Sequence, residues 1–167
     1  AFKEAPRNPE VRRLLIMQYR SSEQWESLIE TLTAAAQHIE DKNTILSHVR
    51  EVQEICQNQL ERTDLAVPIL ERAITFAPDN RDLKLSLAEG LRATERLDEA
   101  QELTDEIVKD FGRRRSIERA AAHLLLARIA DDRGEKEKAL QELETASTMD
   151  SQNIEIWQML AKTARKA

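Results

Sequence analysis

One short junction is written three times in this chain. It appears as Pro6-x-Asn8, as Pro78-x-Asn80 and, with serine in place of proline, as Ser151-x-Asn153. An apolar run at helical spacing follows each copy. Proline lacks the backbone N–H and crowds the turn before it, so it stops a helix, and asparagine caps the start of the next one. A helix-stop, helix-start signal that recurs through the chain points to a stack of similar helical hairpins.

The clearest hairpin lies between Ala121 and Asn153. His123, Leu126, Ala127 and Ala130 share one helical face, the chain breaks at Arg133-Gly134, and Ala139, Leu143 and Ala146 face back. Small residues stand where two helices must come close. The small landmarks recur: Ala100 follows Ala66 by 34 residues, Ala139 follows Ala100 by 39, and Leu28 precedes Ala66 by 38. This register resembles the tetratricopeptide repeat, a helix-turn-helix unit of about 34 residues. The resemblance implies an all-α, right-handed α-solenoid of antiparallel helix pairs, a superhelix of about nine helices.

Composition agrees with helix. Glycine and proline number only 3 and 4, while alanine, leucine, glutamate, glutamine and arginine abound. The expected division is one solenoid domain. Residues 1–8 end a preceding repeat, 9–42 form repeat 1, 43–79 an extended repeat 2, 80–115 repeat 3 and 116–152 repeat 4. Residues 153–167 form the first helix of a further repeat, or a capping helix.

In repeat 1, Leu15, Ile16 and Tyr19 face Trp25, Leu28, Leu32, Ala35 and Ala36, with a capping box at Ser21–Gln24. Repeat 2 has a first helix about one turn longer than the family's, carrying Ile45, Val49, Val52, Ile55, Cys56 and Leu60. Its second helix carries Ala66, Leu70, Ala73 and Ile74. It starts at Thr63 or Asp64, so that Pro68 falls in the first turn, where proline is tolerated. In repeat 3, Leu83, Leu87, Ala88 and Leu91 face Leu97, Ala100, Leu103 and Ile107, Glu95 replaces the family's usual turn glycine, and Gly112 caps the C-terminus. In the last helix Trp157, Leu160, Ala161 and Ala164 repeat a packing face.

The charge balance is −6, with the two signs interspersed. That argues against a nucleic-acid surface, which needs a basic stripe. No apolar run approaches a membrane span. The expected protein is soluble, cytoplasmic or periplasmic, with any targeting signal outside this stretch. No phosphate-loop, dinucleotide-binding, zinc-protease or C-x-x-C motif is present. His38 and His48 flank one loop with Asp41 nearby, too few ligands for a metal site. His123 sits where the family often has a large packing residue. Paired acids such as Glu135/Glu137 and Glu142/Glu144 read as solvated faces, and Arg113-Arg-Arg-Ser116 as a linker whose serine caps the next helix. Lone Cys56 reads as a small buried hydrophobe. No catalytic, cofactor or metal residue is expected, and the chain is not expected to be an enzyme.

In the family, the first helices line a concave groove. Its expected residues here are Arg13, Met17 and Arg20, then Arg50 and Glu54, then Leu85, Glu89 and Arg92, then Leu124, Leu125 and Arg128. Arginine recurs, and its planar fork suits carboxylates. The resemblance therefore implies a non-catalytic scaffold that holds a partner peptide or helix. The alternative is a recruiting arm of an enzyme whose catalytic domain lies outside this chain. Some family members clamp a C-terminal carboxylate with Lys, Asn and Arg; the matching positions here carry Arg13, Met17, Glu51, Asp82 and Ser86, so that activity is not implied. End-to-end self-association through Trp157 and Leu160 is the other expected contact.

Overall fold

The computed structural model describes residues 8–166. Pro6 and the expected end of a preceding repeat at 1–7 lie outside the described residues. Among the described residues there are nine α-helices and no strand. They are α1 (Pro9–Ser21), α2 (Trp25–Ala36), α3 (Lys42–Ile55), α4 (Val67–Ile74), α5 (Arg81–Ala93), α6 (Leu97–Phe111), α7 (Ile117–Asp132), α8 (Lys136–Met149) and α9 (Ile154–Lys166). The chain forms two compact units, residues 1–90 and 91–167.

The three asparagines do the capping that their spacing implies. Asn8 Oδ1 accepts from the Glu10 and Val11 N–H groups, Asn80 Oδ1 from Leu83, and Asn153 Oδ1 from Glu155. Each satisfies backbone donors that a helix start leaves open. Ser116 caps α7 through the Arg119 N–H. Asp41 caps α3 and accepts from both the N–H and the hydroxyl of Thr44, which hold its carboxyl below the usual range. The expected capping box at Ser21–Gln24 does not form. Both serine hydroxyls instead donate back to the Gln18 carbonyl, closing α1, and Gln24 caps α2 without a side-chain bond.

The turn before α2, the turn before α6 and the turn before α8 each require a left-handed residue: Glu23 at φ 54°, Glu95 at φ 61° and Gly134 at φ 76°. Only the last is a glycine. Glu95→Gly is expected to raise stability by roughly 0.5–1 kcal/mol, the relief of left-handed strain less the added chain entropy. Gly134→Ala should lower stability by a similar amount. Thermal denaturation of the two variants checks both signs.

In the first unit, α2 buries Leu28, Ile29, Leu32, Ala35 and Ala36; α3 buries Ile45, Val49, Val52 and Ile55; α4 buries Val67, Ile69, Leu70 and Ala73. No residue of α1 is fully buried; Leu15, Ile16 and Tyr19 are half-covered. The extra turn of repeat 2 is wound as a π turn, Cys56–Leu60, ending at Glu61 in a left-handed conformation. A tighter 3-10 turn, Thr63–Ala66, leads into α4, and Pro68 falls in its first turn. From α4, Arg72 reaches back to the carbonyls of Ala36 and Ile39 beyond the end of α2, and its guanidinium lies 4.6 Å from the centre of the Phe76 ring. One side chain thereby satisfies carbonyls at a helix C-terminus and ties two successive second helices together.

Cys56 is buried and free at the start of the π turn. Burial pushes its thiol up to about 11, with the charge of Asp64 adding and that of Arg62 opposing. Since only the thiolate reacts, disulfide-reagent labelling at pH 8 should run about 100-fold slower in the native protein than in denaturant. Equal rates would place Cys56 outside the core.

In the second unit, α7 is buried on nearly every side: Ala120, Ala122, His123, Leu124, Leu125, Leu126, Ala127, Ile129 and Ala130 are all covered. Against it α8 sets Ala139, Leu143 and Ala146. Two expectations need correction. In α6 the covered residues are Ala100, Thr104 and Ile107, while Leu97 and Leu103 are half-exposed. Thr104 fits because its hydroxyl donates to the Ala100 carbonyl at 2.6 Å and leaves its methyl group for packing. In α9 the packed residues are Ile156 and Thr163, helped by Met159 and Leu160, whereas Trp157, Ala161 and Ala164 are exposed.

Candidate functional site: the first-helix surface

Within each unit, polar bridges join first helices to their neighbours. In the first unit Arg20 of α1 donates from Nε to Glu51 of α3 at 3.0 Å, and Gln53 of α3 donates to Ser86 of α5 at 2.8 Å. In the second unit Arg92, near the end of α5, pairs with Asp132 of α7 at 2.7 Å, and Arg128 of α7 pairs with Glu155 of α9. These contacts are largely solvent-facing, so each contributes about 1 kcal/mol or less. Their value is geometric: they fix first helices side by side and engage three of the arginines assigned to the groove. The acids that hold them, Glu51, Asp132 and Glu155, were not singled out from the sequence as their partners. An acid on the following first helix, within reach of the arginine, was the available signal.

The other expected groove residues separate into two groups. Arg13, Met17, Arg50 and Glu54 are exposed, and Leu85 and Glu89 are half-covered. Leu124 and Leu125, by contrast, are 6% and 1% exposed and form part of the second unit's interior. They offer a partner no surface, because α7 packs on more than one side and its leucines are used up in that packing. His123 is also interior; its Nδ1 lies 2.7 Å from Glu142 Oε2, a tie between α7 and α8. Among the described residues no three His, Cys, Asp or Glu side chains gather as a metal site would require. No helix of the described residues is long and apolar enough to cross a membrane.

The first unit carries a crevice of about 560 Å³ between α1, the end of α2 and the start of α3. Arg12, Arg13, Arg20 and His48 line it over Ile16, Met17 and Ile39, and among the described residues no carboxylate does. Burial pushes the His48 imidazole down; Glu51 opposes this and the charge of Arg12 adds to it. A second crevice, of about 530 Å³, opens against other residues of α2 and is lined by Glu26, Glu30 and Asp64 together with Leu65 and Pro68. The two hollows thus carry opposite charge.

Short helices in repeated hairpins, capped at repeated asparagines, define a helical-repeat protein. Tetratricopeptide-repeat models match residues 58–117 and 120–153, together more than half of the chain. The chain belongs to the tetratricopeptide-repeat family, whose usual role is protein–protein interaction. Among solved structures, a crystal structure of MamA protein aligns with a TM-score of 0.64 at 13% identity, covering 98% of this chain and 82% of that one. A MamA mutant aligns at 0.56 and 15%, covering 93% and 80%. At that identity the likeness is one of fold. Comparison with curated proteins by sequence gives no match.

Proposed function

We propose that this protein is a non-catalytic scaffold whose first-helix surfaces hold a segment of another protein. The observation that carries this reading is the bridging of first helices within each unit. Bridging spends Arg20, Arg92 and Arg128 on internal pairs and leaves Arg13, Met17, Arg50 and Glu54 exposed in the first unit. Those exposed side chains stand on rigid elements, which limits the ordering cost of binding. Apolar and charged groups side by side suit a peptide or an amphipathic helix. Partner capture from extracts of cells that make the protein, compared between the native chain and Arg13→Glu/Arg50→Glu, tests the reading. Loss of a specific partner from the double variant is expected; the same partners at the same yield would overturn it.

The open flank of α9 belongs to the same proposal as a self-association surface. Counting back 34 residues, Trp157, Ala161 and Ala164 correspond to His123, Ala127 and Ala130, all buried between α7 and its neighbours. Trp157 itself is 47% exposed, with its Nε1–H donating to the Ser151 carbonyl. Covering a side chain of this kind is worth about 1.5–3 kcal/mol, so association should be weak and concentration-dependent. Sedimentation should show it for the native chain and lose it for Trp157→Glu. A native chain that stays monomeric at high concentration with iodide-quenched Trp157 would end this part.

A further inference from the structure

We propose that Ser116, directly after Arg113, Arg114 and Arg115, is a phosphorylation site for a serine kinase with an acidic substrate cleft, and that the phosphate strengthens the start of α7. The inference is independent of the partner-binding reading above.

A serine serves a kinase when its segment can lie extended in the cleft and its neighbours match the groups lining that cleft. Three arginines precede Ser116, whereas no other serine or threonine of this chain has more than one lysine or arginine among the three residues before it. All three arginines are exposed on the linker between α6 and α7. Gly112 opens that linker at φ 57°, with open space where a β-carbon would stand. The backbone N–H groups of Arg113, Arg115 and Ser116 make no hydrogen bond among the described residues, and Ser116 is extended at φ −158°, ψ 161°. The segment therefore gives up little when a cleft draws it in. Carboxylates in the cleft would hold the arginine forks. Ile117 follows; it is 65% exposed although the body of α7 is buried on nearly every side, so it is free to enter an apolar pocket beside the reacting hydroxyl.

The transfer balances without a redox partner. Ser116 Oγ bonds to the γ-phosphorus of a nucleoside triphosphate, and the bond from that phosphorus to the bridging oxygen breaks. The nucleoside diphosphate leaves, and the hydroxyl proton passes to a carboxylate of the kinase. In the unmodified chain Ser116 Oγ caps α7 by accepting from the Arg119 N–H at 3.2 Å. A phosphate there carries a charge of about −1.5 to −2 and three strong acceptors, and a helix start favours both. Arg119 is placed to answer it. Its Nη1 donates to the Arg114 carbonyl at 3.4 Å, and its Nε is shut off from solvent with no hydrogen-bond partner among the described residues. Glu118 opposes the new charge, but the four neighbouring arginines outnumber it.

The test incubates the folded full chain with Mg-ATP and the catalytic subunit of cyclic-AMP-dependent protein kinase, beside a peptide of residues 111–120. One phosphate per chain is expected, at Ser116. Ser116→Asn keeps the cap but has no hydroxyl, so it should take up none. Arg113→Gln/Arg114→Gln should lower kcat/KM by about 10-fold or more with the fold unchanged. In the phosphorylated chain, amide exchange at Glu118 and Arg119 should slow by about 3-fold or more. Phosphate on the peptide but not on the folded chain would overturn the inference. So would a peptide that takes none, phosphate entering only at another residue, or an equal rate for the arginine variant. Unchanged or faster exchange at Glu118 and Arg119 would overturn the assigned effect on α7.

Discussion

Leu143→Ala is expected to destabilise the second unit by about 2–5 kcal/mol, among the largest losses any single truncation here would cause. Leu143 is fully buried at the centre of α8. It belongs to one cluster with Ala120, Leu124 and Ala127 of α7, Ala146 of α8 and Ile156 of α9. Most of those neighbours are alanines, already at minimal size and on rigid helices. They cannot lean in to fill the void, so the cavity contribution adds to the lost transfer energy. Because the cluster spans three helices, both faces of α8 loosen together. Leu103→Ala makes the contrast: Leu103 is only half-covered, and its truncation should cost well under half as much. Chemical denaturation of both variants decides the matter; equal losses would mean that the cluster is not the centre of this unit.

Gly90→Ala is expected to destabilise the first unit by about 1–3 kcal/mol, although alanine is the better helix former. A β-carbon at Gly90 would lie 2.6 Å from Val67 Cγ2 and 3.2 Å from the Thr63 carbonyl oxygen. Val67 is β-branched and buried, so it has no free rotamer to retreat into. The Thr63 oxygen is backbone, held in the 3-10 turn. The glycine is there because α5 comes this close to the irregular entry of α4. Gly90→Ala combined with Val67→Ala should recover part of the loss in a double-mutant cycle. Strict additivity of the two changes would show that the clash is relieved elsewhere.

Much of this fold can be read from the chain because its signals are local. Asn8, Asn80 and Asn153 cap the helices they precede, and Pro68 falls in a first turn where its missing N–H costs nothing. Ala66, Ala100 and Ala139 are all buried, as the spacing of small residues requires. The failures are those of periodicity without distance. Ser21–Gln24 matches a capping box by composition, but the serines hydrogen-bond backwards and close α1 instead. Thr104 escaped notice because a hydroxyl reads as polar until its hydrogen bond to the Ala100 carbonyl is seen. Leu124 and Leu125 fall off the main stripe of α7, yet that helix is packed on more than one side and covers them. Of the candidate surface, the arginines could be named from spacing. Which of them are spent on Glu51, Asp132 or Glu155 could not, since that depends on how neighbouring first helices align. The crevice at Arg12 was illegible for the same reason: its walls come from three helices.

The two hollows of the first unit, one edged with arginine and the other with Glu26, Glu30 and Asp64, have a consequence that reaches beyond either pocket. Opposite charges held on different parts of one small rigid body give it an electric polarity that its net charge conceals. Such a polarity would turn a charged polypeptide before contact and make its encounters productive more often than blind collision allows. That advantage lives in the approach and fades as counter-ions gather, while the grip after contact depends on the side chains alone.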